Sequence, residues 1–196
     1  MNVLVACEES GIVRDAFIEK GHNAISCDIL DTSSFGPHIQ GDVKYLLKYK
    51  WDLIIVHPPC TYLCNSGVCH LGNNPERYKK MEEAVRFFNL FLKADAEMIC
   101  VENPIPHKYG LGKTYSQIVQ PYMFGHMERK ATCLWLKGLP KLKETNNVKE
   151  GMLKLPKAKQ QRLHYLSPGP ERAKLRSKTF KGVANAMADQ WGKLKN

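Results

Sequence analysis

Two side chains in this sequence combine chemical reactivity with neighbours that would hold them rigidly. Cys60 follows Pro58 and Pro59, which fix the backbone and remove two amide donors. A thiol held at such a position is a candidate nucleophile, although most cysteines are inert and buried. Glu102 directly follows an apolar run, where a carboxyl group can transfer protons or hydrogen-bond the amidine edge of a pyrimidine.

Three further residues have types that suit the binding of a nucleotide or an anion. Asp28 ends an apolar run about 20 residues after the first turn, the usual position of a carboxylate that binds ribose hydroxyls. A strand-end cap is the ordinary alternative for this residue. Arg129 and Lys130 precede another apolar run, where a cation can hold a phosphate or a base carbonyl, or can simply flank a hairpin.

The residue types that bind zinc cluster in one segment, at Cys60, Cys64, Cys69 and His70. The paired C-x2-C spacing of structural zinc sites is absent from this segment, and the adjacent Cys69 and His70 would ligate one ion awkwardly. We therefore predict no metal site.

Short apolar runs alternate with helical periodicity along the chain. The runs predict strands over residues 2–7, 23–27, 52–56, 97–101 and 131–136. The periodic segments predict helices over residues 9–20, 75–94 and 180–194, with loops over 31–40 and 60–75. This alternation predicts an α/β fold with a Rossmann-like, mostly parallel sheet and helices on both faces.

The reactive residues fall where such a sheet binds its ligands. Asp28, Cys60 and Glu102 each follow a predicted strand, and ligands of parallel sheets collect at the carboxyl ends of the strands. The sequence therefore predicts a nucleotide-like cofactor site next to a reactive cysteine.

Length and composition favour one folded domain. The chain has 196 residues, and its 43% of apolar residues is ordinary for a globular protein. No apolar run approaches the roughly 20 residues of a membrane helix, and the start of the chain does not resemble a signal peptide. Seven cysteines, an odd number, favour reduced thiols and a cytoplasmic location.

The net charge of +10 is unevenly distributed. Residues 1–125 carry 12 Lys and Arg against 14 Asp and Glu, whereas residues 126–196 carry 17 against 5. A basic C-terminal third suits a polyanion such as nucleic acid, and on charge alone a solvated Lys-rich face explains it equally well. Within it, residues 137–178 form a Lys- and Pro-rich insertion with weak periodicity.

The order of these motifs resembles that of the cytosine-5 DNA methyltransferases, over nearly the whole chain. Pro-Pro-Cys at 58–60 is similar to the family's Pro-Cys nucleophile motif, and Glu-Asn-Pro at 102–104 to its Glu-Asn-Val motif. VACEESG at 5–11 stands where the family has its first S-adenosylmethionine loop. Asp28 matches the acidic ribose-binding residue, and Gly-Asp-Val at 41–43 resembles the motif whose Asp approaches the adenine.

Two later segments extend the resemblance. Residues 124–136 are similar to the family's Gly…Gln-x-Arg-x-Arg segment, and GVANA at 182–186 is similar to its closing Gly-Asn-Ala-Val motif. The chain also resembles short phage-encoded proteins labelled as DNA cytosine methyltransferases. A phage-encoded protein would act in the host cytoplasm.

The resemblance implies a class I methyltransferase fold and S-adenosylmethionine-dependent methylation of cytosine C5 in DNA. Cys60 would add to C6 of the ring, Glu102 would hold N3 and the exocyclic amine, and Arg129 would position the base or Glu102. The cofactor-binding residues that it implies are Ala6, Cys7, Glu8, Ser10, Gly11, Asp28, Ile29, Asp42, Val43, Pro58 and Asn185.

Two alternatives follow from departures from the family pattern. Residues 137–178 are too few for the family's target-recognition domain, which favours C5 modification of a free pyrimidine nucleotide, or a partner subunit that supplies recognition. The first loop keeps only Gly11 of the family's glycines, which favours a catalytically inactive protein that still binds nucleic acid.

Overall fold

A seven-stranded sheet forms the centre of the computed structural model, which describes residues 1–72 and 74–195. The strands are β1 (Asn2–Ala6), β2 (Asn23–Asp28), β3 (His38–Gln40), β4 (Trp51–Val56), β5 (Ala96–Pro104), β6 (Gln117–Val119) and β7 (Thr132–Lys137). Their spatial order is β3-β2-β1-β4-β5-β7-β6. The first five strands are parallel, and the β5–β7 and β7–β6 pairs are antiparallel. The predicted α/β fold with a Rossmann-like, mostly parallel sheet is confirmed.

Helices cover both faces of the sheet, as predicted. The α-helices are α1 (Ile12–Glu19), α2 (Pro75–Leu92), α3 (Lys149–Leu153), α4 (Lys157–Gln160), α5 (Pro170–Ser177) and α6 (Lys181–Trp191). Because successive strand residues face opposite sides, Val3 of β1 packs in one core with α1 and α6, and Leu4 packs in the other core with α2. Among the described helices, none is both long and apolar enough to cross a bilayer.

Several elements differ from the sequence prediction. The predicted loop over 31–40 ends in β3, and β6 lies in a segment to which no strand was assigned. Both are three-residue strands at the edges of the sheet, too short to show an alternating pattern. The predicted loop over 60–75 contains a 3-10 helix at Asn65–His70, and the insertion at 137–178 contains α3, α4 and α5.

The direction of β7 matters for the site. Pro104 at the end of β5 pairs with Thr132 at the start of β7, because the two strands are antiparallel. The segment that enters β7 therefore lies at the carboxyl edge of the parallel strands. Residues just before Thr132 can reach the same edge as Glu102.

Candidate active site

Cys60 lies just beyond the carboxyl end of β4, in a turn that also holds Cys64. The backbone amide of Cys64 donates to the carbonyl oxygen of Cys60 at 3.0 Å, which closes one helical turn. This turn brings the two thiols close enough for each to shift the pKa of the other. Cys60 is half-buried, and Glu102 is close enough for its negative charge to act on the Cys60 thiol.

The thiols of Cys60 and Cys64 titrate as a pair. A hydrogen bond from the Cys60 thiol, and the Ser66 hydroxyl 3.1 Å from the Cys64 sulfur, lower the pKa of Cys64 to about 5. The same thiol–thiol hydrogen bond, together with burial and the charges of Cys64 and Glu102, raises the pKa of Cys60. At neutral pH the pair therefore holds one proton between two sulfurs. Cys60 was predicted from the sequence as a candidate nucleophile, but its pairing with Cys64 was not predicted. The C-x3-C spacing, close to one helical turn, was the signal that could have revealed this pairing.

Glu102 lies near the end of β5, and its side chain is 17% exposed. His57 stands beside it because Val56 pairs with Val101 in the β4–β5 ladder. The two side chains approach to 3.8 Å between His57 Nδ1 and Glu102 Oε1, an ion-pair distance too long for a hydrogen bond. No role was predicted for His57 from the sequence, although its position between a strand and two prolines was a signal for a rigidly held side chain.

Charges around Glu102 offset the effect of its burial. Burial raises the pKa of Glu102, but His57 and Lys130 outweigh it and hold that pKa below the usual range. Burial lowers the pKa of His57, but Glu102 and Glu8 outweigh it and hold that pKa above the usual range. Both shifts favour an ionised pair, a carboxylate facing an imidazolium.

Lys130 is the cation that the structure brings to Glu102. The two residues line one small cavity, which Phe180 also lines. The Lys130 ammonium donates to the carbonyl oxygen of Lys178 at 3.2 Å and lies 6.0 Å from the Phe180 ring centre. Arg129 was the predicted residue, but its side chain is exposed, and the cations that act on Glu102 are His57 and Lys130. The structure does not bring Arg129 and Glu102 together.

The loops after β4 and β5 are joined to each other. The amide of Asn65 donates to the carbonyl oxygen of Ile105 at 2.8 Å. Buried His107 connects its ring to both loops: Nδ1 accepts from the amide of Gly110 at 3.2 Å, and Nε2 lies 2.9 Å from the carbonyl oxygen of Tyr62. Since Nδ1 is an acceptor, the ring proton is assigned to Nε2, which donates to Tyr62.

The first loop, between β1 and α1, is organised by a buried carboxylate. Glu8 is 4% exposed; its Oε1 accepts from the amide of Val13 at 2.7 Å and its Oε2 from the amide of Arg14 at 3.2 Å. The Ser10 hydroxyl also donates to Glu8, at 3.3 Å. Gly11 has φ +71°, and a Cβ there would collide with the side chain of Arg14. Glu8 thus caps α1, so its predicted contact with a cofactor would have to share this carboxylate with the helix.

Asp28 and Asp42 converge near Cys7 at the carboxyl ends of β1 and β2. Burial, and then the negative charge of Asp28 ahead of that of Asp42, raises the pKa of Cys7 to about 12. Asp28 Oδ1 accepts from the amide of Leu30 at 2.9 Å, and its other oxygen has no hydrogen-bond partner among the described residues. Ile29 is 75% exposed beside it. These groups fit a nucleoside, with carboxylate oxygens for hydroxyl groups and an apolar side chain for a base.

Comparison with known proteins finds solved structures that resemble this chain, including the following two. No protein-family model matches this chain, and no curated protein matches it. A prophage-encoded E. coli protein described as a DNA modification methyltransferase has a TM-score of 0.47 and 16% identity, covering 80% of this chain and 55% of that one. The methyltransferase EhMeth of Entamoeba histolytica has a TM-score of 0.46 and 16% identity, covering 75% of this chain and 57% of that one. This chain spans little more than half the length of either protein.

The other predicted cofactor residues line the same edge or lie apart from it. Ala6 and Val43 are buried in the core under the carboxyl edge, and Pro58 is buried at the start of the cysteine turn. Asp42 caps a 3-10 helix by accepting from the amide of Lys44 at 3.0 Å. Asn185 is half-buried on α6, and no hydrogen bond between described residues joins it to the first loop.

The cysteine-rich segment contains no group arranged for a metal ion. Within residues 1–72 and 74–195, no three Cys, His, Asp or Glu side chains are close enough together to hold one. All seven cysteines fall in these ranges, and each is a free thiol.

Proposed function

We propose that this protein transfers a methyl group from S-adenosylmethionine to C5 of cytosine, through a temporary bond between Cys60 and C6. The observation that carries the proposal is the approach of the Cys60 thiol and the buried Glu102 carboxyl at the ends of adjacent strands. Cytosine C5 is a poor nucleophile until C6 is saturated. The reaction uses a thiol that bonds to C6 and a carboxyl group that exchanges a proton with the same ring, and Cys60 and Glu102 supply these two groups.

The thiol pair activates the nucleophile. Cys60 and Cys64 lie one helical turn apart and the pKa of Cys64 is lowered, so Cys64 would take the Cys60 proton as the Cys60 sulfur bonds to C6. The electron pair of the C5–C6 double bond would then form the bond from C5 to the methyl group that the cofactor supplies. When the C5 proton leaves to solvent, the electron pair of the C5–H bond would restore the double bond as the sulfur–C6 bond breaks, and Cys60 would recover its proton from Cys64.

Glu102 stabilises the charge that develops on the ring. Its carboxyl group would donate to N3 and accept from the exocyclic amine of cytosine, an arrangement that the other pyrimidine of DNA, thymine, does not match because its N3 carries a hydrogen. Burial makes these hydrogen bonds strong because water does not compete for them. Lys130 adds a positive charge on the far side of the carboxyl group.

The residues near the first loop fit S-adenosylmethionine. When bound, this cofactor supplies an electrophilic methyl group on a positively charged sulfur. Asp28 would accept hydrogen bonds from the ribose hydroxyls, and the exposed Ile29 would cover the adenine. Asp42 would approach the adenine amino group, and Glu8 and Glu9 would complement the positive charge of the methionine part.

A basic helix near this edge favours DNA as the substrate. The Lys174 ammonium of α5 lies 3.3 Å from a carboxylate oxygen of Glu9 in the first loop. The carbonyl oxygen of Lys178, just after α5, accepts from Lys130 beside Glu102. The basic excess of residues 126–196 therefore borders the candidate site, where it can attract a phosphate backbone.

The insertion favours a free pyrimidine nucleotide as the second candidate substrate. Residues 137–178 form helices of only five, four and eight residues. A separate recognition domain is needed to select a sequence in duplex DNA and to extract a base from it, whereas a free nucleotide requires neither step. A partner subunit that supplies recognition would reconcile this short insertion with a DNA substrate.

The deciding experiment supplies radiolabelled S-adenosylmethionine with duplex DNA, single-stranded DNA and dCMP in parallel. We expect label on DNA, its loss in Cys60→Ala, and its retention in the control Cys69→Ala, because Cys69 is an exposed cysteine of the same loop. Label on dCMP alone would move the function to nucleotide modification. No transfer, with no cofactor binding by calorimetry, would overturn the proposal and leave an inactive nucleic-acid-binding protein.

A further inference from the structure

His57 is a buried, charged side chain that the mechanism above does not use. Its side chain is 8% exposed, and neither ring nitrogen has a hydrogen-bond partner among the described residues. Its backbone amide donates to the carbonyl oxygen of Ala6 at 2.9 Å, which fixes the residue at the end of β4. A buried imidazole without hydrogen bonds destabilises the folded protein, which points to a chemical role for His57.

Three charged groups from three different segments face the His57 ring. Glu102 approaches from β5, Glu8 from the first loop, and Lys130 from the segment that enters β7. Two carboxylates against one ammonium leave a net negative environment, which favours a protonated ring. The shortest of these approaches is the 3.8 Å between His57 Nδ1 and Glu102 Oε1.

The reaction on cytosine needs a proton at Glu102 that the free protein does not keep there. N3 of the ring becomes basic as the Cys60 sulfur adds to C6, and only a protonated carboxyl group can donate to it. His57 and Lys130 hold the pKa of Glu102 below its usual range, so Glu102 is a carboxylate at neutral pH. A neighbouring acid must therefore supply the proton.

We propose that His57 is a positioning residue that supplies this proton to Glu102. The Nδ1–H of the imidazolium passes its proton to Glu102 Oε1, and the carboxyl group formed in this way gives that proton to N3 and becomes a carboxylate again. The histidine ends neutral and the ring gains one proton, so charge balances. When the sulfur–C6 bond breaks, N3 becomes acidic again and the proton returns by the same route.

This inference rests on the proposed function, and the separation of the two side chains is compatible with it. The 3.8 Å between His57 and Glu102 must shorten to hydrogen-bond length when substrate binds, as catalytic hydrogen bonds commonly do. His57 is attached to the prolines that precede Cys60, so substrate contact with Cys60 can move the ring.

The first test measures the pair without any activity. NMR titration of the His57 ring should give a midpoint above that of an ordinary histidine, and Glu102→Gln should lower it by about one pH unit or more. His22, near the N-terminus, gives the reference signal and should not move in that variant. An unchanged His57 midpoint in Glu102→Gln would overturn the coupling on which the inference depends.

The second test measures the pH dependence of methyl transfer. In the wild type, kcat should fall on the alkaline side as His57 loses its proton. His57→Asn should lower kcat about 100-fold at neutral pH and remove that alkaline limb, whereas His22→Asn should change neither. The same pH profile is measured for His57→Gln, whose amide side chain is longer than that of Asn. Circular dichroism checks that the His57→Gln protein folds.

The outcomes separate this inference from the proposed function. A uniform loss of kcat with an unchanged pH profile would show that His57 only supports the fold, and would overturn its role as proton source. A coupled titration in a wild-type protein that transfers no methyl group would overturn the proposed function, and with it the donation to N3.

Discussion

At the scale of single residues, the Glu8 side chain accounts for the defined shape of the first loop, which contains few glycines. Its buried carboxylate accepts two amides at the start of α1, at 2.7 and 3.2 Å. Helix amides of this kind otherwise need a capping side chain, water or a ligand. The Glu8 carboxylate therefore caps α1 and gives this loop a defined shape although it contains few glycines.

Glu8→Gln should lower the free energy of unfolding by about 1–2 kcal/mol, because a neutral amide offers only one acceptor in place of two charged oxygens. Urea unfolding followed by fluorescence measures the change. The control Glu19→Gln removes a carboxylate from the exposed last turn of α1 and should have almost no effect. Equal effects of the two substitutions would contradict the capping role.

The thiol pair makes a second prediction at this scale. Cys64 should react with iodoacetamide from about pH 5 upwards, because its pKa is lowered to about 5 by the hydrogen bond from Cys60. Cys60→Ala removes that donor, so the labelling curve of Cys64 should move to higher pH. Mass spectrometry of the labelled peptides over a pH series gives both curves, with the exposed Cys69 as internal reference. Identical Cys64 curves in the two proteins would show that the thiols do not interact.

At the scale of elements, Arg14 of α1 holds the segment that carries β3. Its side chain is completely buried and donates to Ser26 on β2 at 3.1 Å, to Ser34 at 2.6 Å and to the carbonyl oxygen of Phe35 at 3.1 Å. The hydrogen bonds of one buried guanidinium group, and not packed apolar side chains, therefore hold this loop in place. The loop leads from Asp28 to Asp42, so its position affects the candidate cofactor residues.

Arg14→Met should destabilise the protein by about 3 kcal/mol or more, since several buried acceptors would lose their donor. Hydrogen–deuterium exchange should quicken most over residues 29–40, and urea unfolding gives the energy. Arg86→Met is the matched control, because Arg86 is exposed on α2 with only a 3.9 Å ion pair to Glu82. Uniformly faster exchange along the whole chain would argue against a local anchoring role.

The sequence predicted the elements with strong local patterns and missed those set by distant contacts. Five parallel or long strands were predicted because they are continuous apolar runs, as buried strands must be. β3 depends on Arg14, whose burial no local pattern indicates. The choice between Arg129 and Lys130 depends on which side chain turns inward, and motif similarity does not determine that. His57 acquires its significance only through the β4–β5 register that sets it beside Glu102.

At the scale of the whole molecule, the basic part of the chain borders one edge of the sheet. The basic C-terminal third borders the carboxyl edge through Lys174 and Lys178. Residues 1–125, which supply Asp28, Asp42 and Glu102 at the same edge, carry slightly more acidic than basic residues. A long polyanion would therefore meet the molecule along the edge that carries the candidate site.

Lys174→Gln with Arg176→Gln should weaken DNA binding and reduce the slope of log affinity against log salt by about one per lost phosphate contact. Lys48→Gln with Lys50→Gln removes the same charge just before β4, at the opposite edge, and should leave the slope unchanged. Fluorescence anisotropy over a salt series measures both. Matching slopes in the two double variants would point to non-specific attraction by net charge alone.

The joined loops after β4 and β5 also bear on the speed of catalysis. His107 and the Asn65–Ile105 hydrogen bond make the segments of Cys60 and Glu102 one body. The conformational entropy of the Cys60 and Glu102 segments is therefore lost once, during folding, and not again at each turnover. A cytosine ring would therefore meet a preassembled pair at high effective molarity, without any prior closing of these loops.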